Sequence, residues 1–389
     1  MIVGLKDGVV SPTIRWGQYG CLSKKSYSDI GVLYKRKEGE RMSQFVVTLI
    51  TTVFMIVGLA SAQTKPFYEG KTLRVIVGSG SGAGNDIRTR LWSRHAVRHI
   101  AGNPTIIVQN MPGAGGLVAR NYLFNVAKPD GLTIAEILRG TAFREVIEDP
   151  GVAYKSAQFN WLGNLTTGAT VCVLRIDRGE TLEEAIKRSA QTPLRAGESG
   201  ASEPGAAVAL LLSKFTGLNL TVVAGYPGGA AINLAIERDE IHMRCGLVWS
   251  SAKVTRRQWF KRLGSPNPFA SVIVQGSPTR LPDLSDVPTL MELAPDVSWR
   301  LAAEIVTSTY QNAYPMLAPP GVPKDLVKLL RDAFWATVND PEYLAEAKKM
   351  GFVDDKPLRG ETVQELKEKL IATPEEPRRH LRKLLGLAS

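Results

Sequence analysis

The chain has 389 residues, a formal charge of +11 and three cysteines. That length suits two lobes rather than one ordinary domain, and 44% apolar residues supply a sizeable core, which excludes a globally disordered chain. Three cysteines with no CxxC pair exclude a disulfide scaffold and a zinc ribbon.

Residues 1–62 read as a leader with a signal peptide. Residues 45–59 are a nearly unbroken apolar run holding Thr48, Thr51 and Thr52, and Ala60-Ser-Ala62 after it is a small-x-small cleavage site. The run is short for a membrane-spanning helix, although an uncleaved anchor is the alternative. Lys35, Arg36, Lys37 and Arg41 lie just upstream, as an n-region should. A start at Met42 instead of Met1 would leave that region without lysine or arginine. Cleavage after Ala62 leaves 327 residues. Eight Lys/Arg and four acids depart with the leader, so the charge falls to +7, and Cys21 departs too. No cysteine follows the run closely, so a lipid anchor is not expected, and the product should be soluble and exported.

One pattern then recurs four times: a short β-branched run, a glycine-rich turn and a helix-like stretch. Residues 73–77 lead into Gly78-Ser-Gly-Ser-Gly-Ala-Gly84, with Asn85 and Asp86 as helix-start residues. Residues 105–108 lead into Asn110-Met-Pro-Gly-Ala-Gly-Gly116. Residues 194–196 lead into Gly197-Glu-Ser-Gly-Ala-Ser202, and residues 220–223 into Gly225-Tyr-Pro-Gly-Gly229. Two further strands are predicted at 132–138 and 241–248, giving three per set. Such repeats argue two parallel α/β sheets with crossover helices. Residues 272–274 read as a strand returning the chain to the first lobe. The C-terminal third reads as helical, with amphipathic stretches at 325–338, 361–370 and 378–385.

Glycine lets a ligand approach the backbone, and a helix N-terminus offers unpaired N–H groups and partial positive charge. Each turn is therefore a candidate anion site, and four of them facing across a cleft would hold a small anion between two lobes. Gly78 to Ala83 formally fits a dinucleotide fingerprint, but the second strand ends in Val108-Gln-Asn110 without the acid that would hold a ribose, and no turn carries Gly-Lys-Ser/Thr. No catalytic triad or nucleophile elbow is present. Ser79, Ser81, Ser199 and Ser202 read as hydrogen-bond donors to a ligand. His95 and His99 sit among Arg88, Arg90, Arg94 and Arg98, which disfavours a bound cation and reads as a solvated basic face. Cys172 and Cys245 both lie in strand-like runs; they either pair in an oxidising compartment or remain buried thiols.

The stretches Tyr68-Glu-Gly-Lys-Thr-Leu-Arg-Val-Ile-Val77, Val108-Gln-Asn-Met-Pro-Gly-Ala-Gly-Gly116, Ala127-Lys-Pro-Asp-Gly-Leu-Thr-Ile134, Asp286-Val-Pro-Thr-Leu-Met-Glu292, Leu317-Ala-Pro-Pro-Gly-Val-Pro323 and Asn339-Asp-Pro341 occur in that order. With them the chain resembles the periplasmic receptors of tripartite tricarboxylate transporters, the Bug-type receptors. The resemblance implies an α/β, two-lobed periplasmic-binding-protein (Venus-flytrap, type II-like) fold with a helical C-terminal region. The lobes are expected at 63–167 plus 270–389 and at 168–269. It implies a non-enzymatic, monomeric receptor, without cofactor or metal, that captures a small organic carboxylate and delivers it to a large and a small integral-membrane subunit, with no role for nucleic acid. A sensor-feeding binding module and an enzyme acting on a carboxylate are the alternatives.

In that family the carboxylate is held largely by loop backbone groups and bridging waters. By position, the contacts would come from Ser79, Gly80, Ser81, Gly82 and Ala83, and from Gly113, Ala114 and Gly115. Across the cleft they would come from Ser199, Gly200, Ala201, Ser202 and Tyr226. Asp86 matches the family's aspartate after the first loop and would organise that loop, and Trp249 either lines the cleft or belongs to the core. Three features depart from the family pattern: Met111 stands where an arginine is usual, the fourth turn reads Ala224-Gly-Tyr-Pro-Gly-Gly229, and Glu198 and Glu203 set acids beside the third turn.

Overall fold

The computed structural model describes residues 65–352 and 356–387, so the leader lies outside the described residues. The chain opens with β1 (Thr72–Val77), α1 (Gly84–Ala96), β2 (Thr105–Asn110), α2 (Leu117–Asn125), β3 (Thr133–Glu136), the short α3 (Thr141–Val146) and β4 (Asn160–Asn164). β1 pairs in parallel with both β2 and β3, as their apolar runs and crossover helices require.

A second series follows: β5 (Thr170–Arg175), α4 (Leu182–Ser189), β6 (Leu194–Glu198), α5 (Pro204–Thr216), β7 (Leu220–Ala224), α6 (Gly229–Glu237), β8 (Met243–Val248), α7 (Trp249–Thr255) and β9 (Ala270–Gly276). Here β6 is parallel to β7 and β8, while β5 runs antiparallel to β8 and β9. The last third holds α8 (Val297–Ser308), β10 (Pro315–Ala318), α9 (Lys324–Val338), α10 (Pro341–Lys349), β11 (Leu358–Arg359), α11 (Gly360–Ile371) and α12 (Glu375–Leu384).

The strand orders are β11-β4-β10-β3-β1-β2 in the first sheet and β7-β6-β8-β5-β9 in the second. Both parallel triplets occur as expected, but each sheet is widened by antiparallel strands. β10 is inserted between β3 and β4, inside the third expected to be wholly helical. β9 does not return the chain to the first sheet. It pairs with β5 over six residues, from Thr170 opposite Gly276 to Arg175 opposite Ala270. The segment expected as 270–389 of the first lobe is therefore divided. α9, α10 and α11 cover the first sheet, whereas α8 and α12 pack with α5 on the second.

Cys172 and Cys245, on the neighbouring strands β5 and β8, form a disulfide. The expected solvated basic face of α1 is instead an ion-pair seam against α10. His95 and Arg94 both engage Glu346, Arg98 makes a bidentate pair with Asp340, and His99 Nε2 lies 2.6 Å from Asp340. His95, Asp340 and Glu342 approach one another there, with the Arg98 guanidinium on both carboxylates.

Candidate functional site

The four glycine turns stand at the carboxyl ends of β1, β2, β6 and β7, and they meet in pairs. The first touches the fourth through a backbone bond from Gly80 N–H to the Pro227 carbonyl, 2.8 Å long. The second touches the third, since a Cβ on Gly200 would sit 3.2 Å from the Gly115 Cα.

The first turn is held from below. Asp86 accepts from Gly82 N–H at 2.9 Å, from Asn110 Nδ2 at 2.8 Å and from Arg90 Nε at 3.0 Å. Burial disfavours its charge, but the bonds from Arg90, Gly82 and Asn110 outweigh that effect and hold its pKa below the usual carboxylate range. Both of its oxygens are thus committed to shaping the loop. Ser79 Oγ donates to Asn85 Oδ1 at 2.9 Å, and Asn85 Nδ2 donates to Glu136 Oε2 at 2.6 Å. Glu136 is fully buried, and burial pushes its pKa up to about 8.

Between the sheets lies a small cavity of about 80 Å³, lined by Ser79, Gly82, Ala83, Gly84 and Asn85 at the start of α1 and by Gly228, Gly229 and Ala230 at the start of α6. Leu138, Arg139, Glu198, Ser199, Ile232, Asn233, Arg244, Leu247, Ser251 and Tyr314 contribute to the same wall. Two helices from different sheets therefore direct the partial positive charge of their N-termini at one volume.

Three arginines complete it; Arg256 is paired with Glu237, and the other two are Arg244 and Arg139. Arg244, 6% exposed, stands inside β8; its Nη1 donates to Asn233 Oδ1 and the Gly229 carbonyl, and its Nε is buried without a hydrogen-bond partner. Burial pulls its pKa down, with Glu198 opposing. Arg139, just beyond β3, lies with its guanidinium 4.4 Å from the Tyr310 ring centre. Among the described residues no group accepts a hydrogen bond from Arg139, and its Nε too is buried without a partner. Sequence reasoning overlooked both. The available signal was a single arginine inside the apolar strand Met243–Val248 and another at the carboxyl end of a buried strand.

The two acids of the third turn have different neighbours. Glu203 Oε1 takes Arg120 Nη1 at 3.0 Å and Arg144 Nε at 2.9 Å, all three side chains being buried, and so presents no free charge to the cavity. Glu198 faces the cavity, with Oε1 accepting from Ser199 N–H and Oγ.

Of the turn residues singled out by sequence, Ser79, Gly82, Ala83 and Ser199 lie on the cavity wall. Gly80 and Tyr226 take part in turn contacts, with Gly80 N–H donating to Pro227 and Tyr226 N–H donating to the Glu198 carbonyl. Ser81, Gly113, Ala114, Gly115, Gly200, Ala201 and Ser202 flank the cleft without lining that cavity; Ala114 offers its carbonyl to Arg144. Trp249 packs its ring 5.2 Å from that of Phe260 in the core of the second sheet and donates from Nε1 to Asp283.

The profile described as tripartite tricarboxylate transporter family receptor matches residues 93–373. No curated protein matches the chain. Among solved structures, the periplasmic binding protein BugD shares 19% identity, with 82% of this chain and 99% of that one covered and a TM-score of 0.62. MatC from Rhodopseudomonas palustris, solved with malate, shares 20% over 81% of this chain and 99% of its own, with a TM-score of 0.61. An R. palustris protein solved with adipate also shares 20%, covering 82% and 98%, with a TM-score of 0.62. At these identities the structures show a common fold, and the profile match, which spans most of the sequence, places the chain in the tripartite tricarboxylate transporter receptor family.

Proposed function

We propose that this protein is a periplasmic receptor that binds a small organic carboxylate in the cavity between its two sheets and passes it to the large and small membrane subunits of a tripartite transporter. The observation that carries this reading is Arg139, a guanidinium on the wall of the cavity with no protein acceptor. A bound carboxylate supplies the missing acceptor, and the N-termini of α1 and α6 and the Arg244 guanidinium add to its stabilisation. The Ser79 and Ser199 hydroxyls already donate to Asn85 Oδ1 and Glu198 Oε1, so these two serines shape the wall. The malate and adipate bound by the two R. palustris relatives support a carboxylate as cargo. The Cys172–Cys245 disulfide supports an oxidising compartment. In this reading catalysis has no role, and the receptor acts by closing its lobes over the ligand.

The test is a thermal-shift screen of the purified protein against mono-, di- and tricarboxylates, amino acids and aromatic acids. At least one acid raises the melting temperature with dose, by an amount corresponding to about 2.7 kcal/mol at a hundredfold excess over Kd. A flat response to every acid overturns the assignment.

A further inference from the structure

Glu198 stands at the end of β6, 7% exposed, on the wall of the same cavity as Arg139 and Arg244. Its place is built into the backbone: a side chain on Gly205 or on Gly246 would run into Glu198 Oε2. Oε1 is taken by the N–H and the hydroxyl of Ser199. Among the described residues Oε2 receives no hydrogen bond, and neither cavity arginine forms an ion pair with it, although both feel its charge. A receptor for a bare anion gains nothing from an acid in this position, because it repels the cargo. An acid with an open oxygen beside two cations instead suits a ligand that carries an acceptor and a donor close together.

We infer that, within the carboxylate reading on which this rests, the cargo is an acid bearing a hydrogen-bond donor, a hydroxyl or an ammonium, on a carbon next to its carboxylate. The carboxylate faces Arg139 and Arg244, and the donor faces Glu198 Oε2. An unsubstituted acid covers that largely buried oxygen without pairing it and is rejected for that reason. The hydroxyl and the ammonium present the same donor to Glu198 and differ in charge.

The test is calorimetric titration of the protein with two matched series: propionate, lactate and alanine, and succinate, malate and aspartate. In each series the acids differ only in H, OH or NH3+ at one carbon. The substituted acid of at least one series binds ten-fold or more tighter than its plain counterpart, and the better of the two substituents identifies the donor. In E198Q that preference for an ammonium falls to threefold or less while the plain acid binds as well as before or better; E198D, shorter but charged, keeps part of it. Equal binding of plain and substituted acids by the unaltered protein overturns this inference and leaves the carboxylate reading standing. Equal weakening of all acids in E198Q also overturns it, since a structural role would do that. Absence of binding by every carboxylate, including those of the wider screen, overturns both.

Discussion

The Gly80 N–H donates to the Pro227 carbonyl across the cleft, joining a turn of the first sheet to a turn of the second at 2.8 Å. A Cβ on Gly80 would lie 3.4 Å from that carbonyl oxygen and 3.5 Å from the Pro227 Cβ, which is ordinary contact, but the γ-methyls of a β-branched residue have no further room. Gly80→Val therefore weakens binding of whichever acid the protein takes by about tenfold, roughly 1.4 kcal/mol, while Gly80→Ala stays near the unaltered protein. Calorimetry on both variants checks this; equal affinities for Val and Ala would show that the turns need not approach.

Arg139 is a cation held in the cavity without a protein acceptor. Its charge is favoured by Glu198 and Glu203 and by stacking on Tyr310, so its removal acts chiefly on the loaded protein, where it deletes the proposed carboxylate contact. Arg139→Met is thus expected to remain folded and to lose the ligand-induced shift. A variant that melts lower yet retains its shift would assign Arg139 a structural role.

Glu203 holds two buried arginines at once, Arg120 at 3.0 Å and Arg144 at 2.9 Å. Removing its charge leaves Arg120 without a carboxylate in the interior and Arg144 with Asp149 alone, at 3.2 Å. Glu203→Gln costs about 3–5 kcal/mol, read as a lowered urea midpoint with an unchanged slope. A loss under 1 kcal/mol would mean that solvent reaches the arginines.

The Cys172–Cys245 disulfide closes a loop with a sequence separation of 73. Loop-closure entropy of the unfolded chain gives it a worth of roughly 4 kcal/mol. Denaturation with and without reductant measures this, and non-reducing mass determination shows the bond two hydrogens lighter. Identical midpoints after verified reduction would contradict the estimate.

Two buried groups set opposite pH trends. Burial raises Glu136 to about 8, so the folded state binds more protons than the unfolded one between about 4.5 and 8, and its contribution to stability falls as pH rises through that window. Burial, with Arg120 nearby, lowers Lys367 to about 7, and its Nζ donates to Asn312 at 2.9 Å. The unfolded state then binds more protons between about 7 and 10.5, so stability from this group rises with pH there. In urea titrations across pH, Glu136→Gln flattens the lower window and Lys367→Met the upper one. Unchanged profiles in both variants would place these groups in contact with water.

Much of the site's framework was legible because it is local. A β-branched run, a glycine turn and a helix start lie within about 15 residues of one another, the scale on which backbone sterics and capping act. Asp86 as organiser of the first turn could be read the same way. Arg139, Arg244 and Glu198 could not be assigned to one cavity, because they are brought together from β3, β8 and β6. The partners of Glu203 were equally hidden, since Arg120 and Arg144 come from α2 and α3, 83 and 59 residues away in sequence. β10 escaped notice because Pro315–Ala318 is a four-residue apolar run with no periodicity of its own.

The sequence by itself determined two parallel α/β triplets, four glycine turns at strand ends and the family to which they belong. Only the tertiary structure decided that β9 extends the second sheet, that the cysteines pair, and that one acid is neutralised while another faces the cavity. Those outcomes depend on strand edges and charges meeting across long sequence separations, where the deciding energies are desolvation and pairing rather than local propensity.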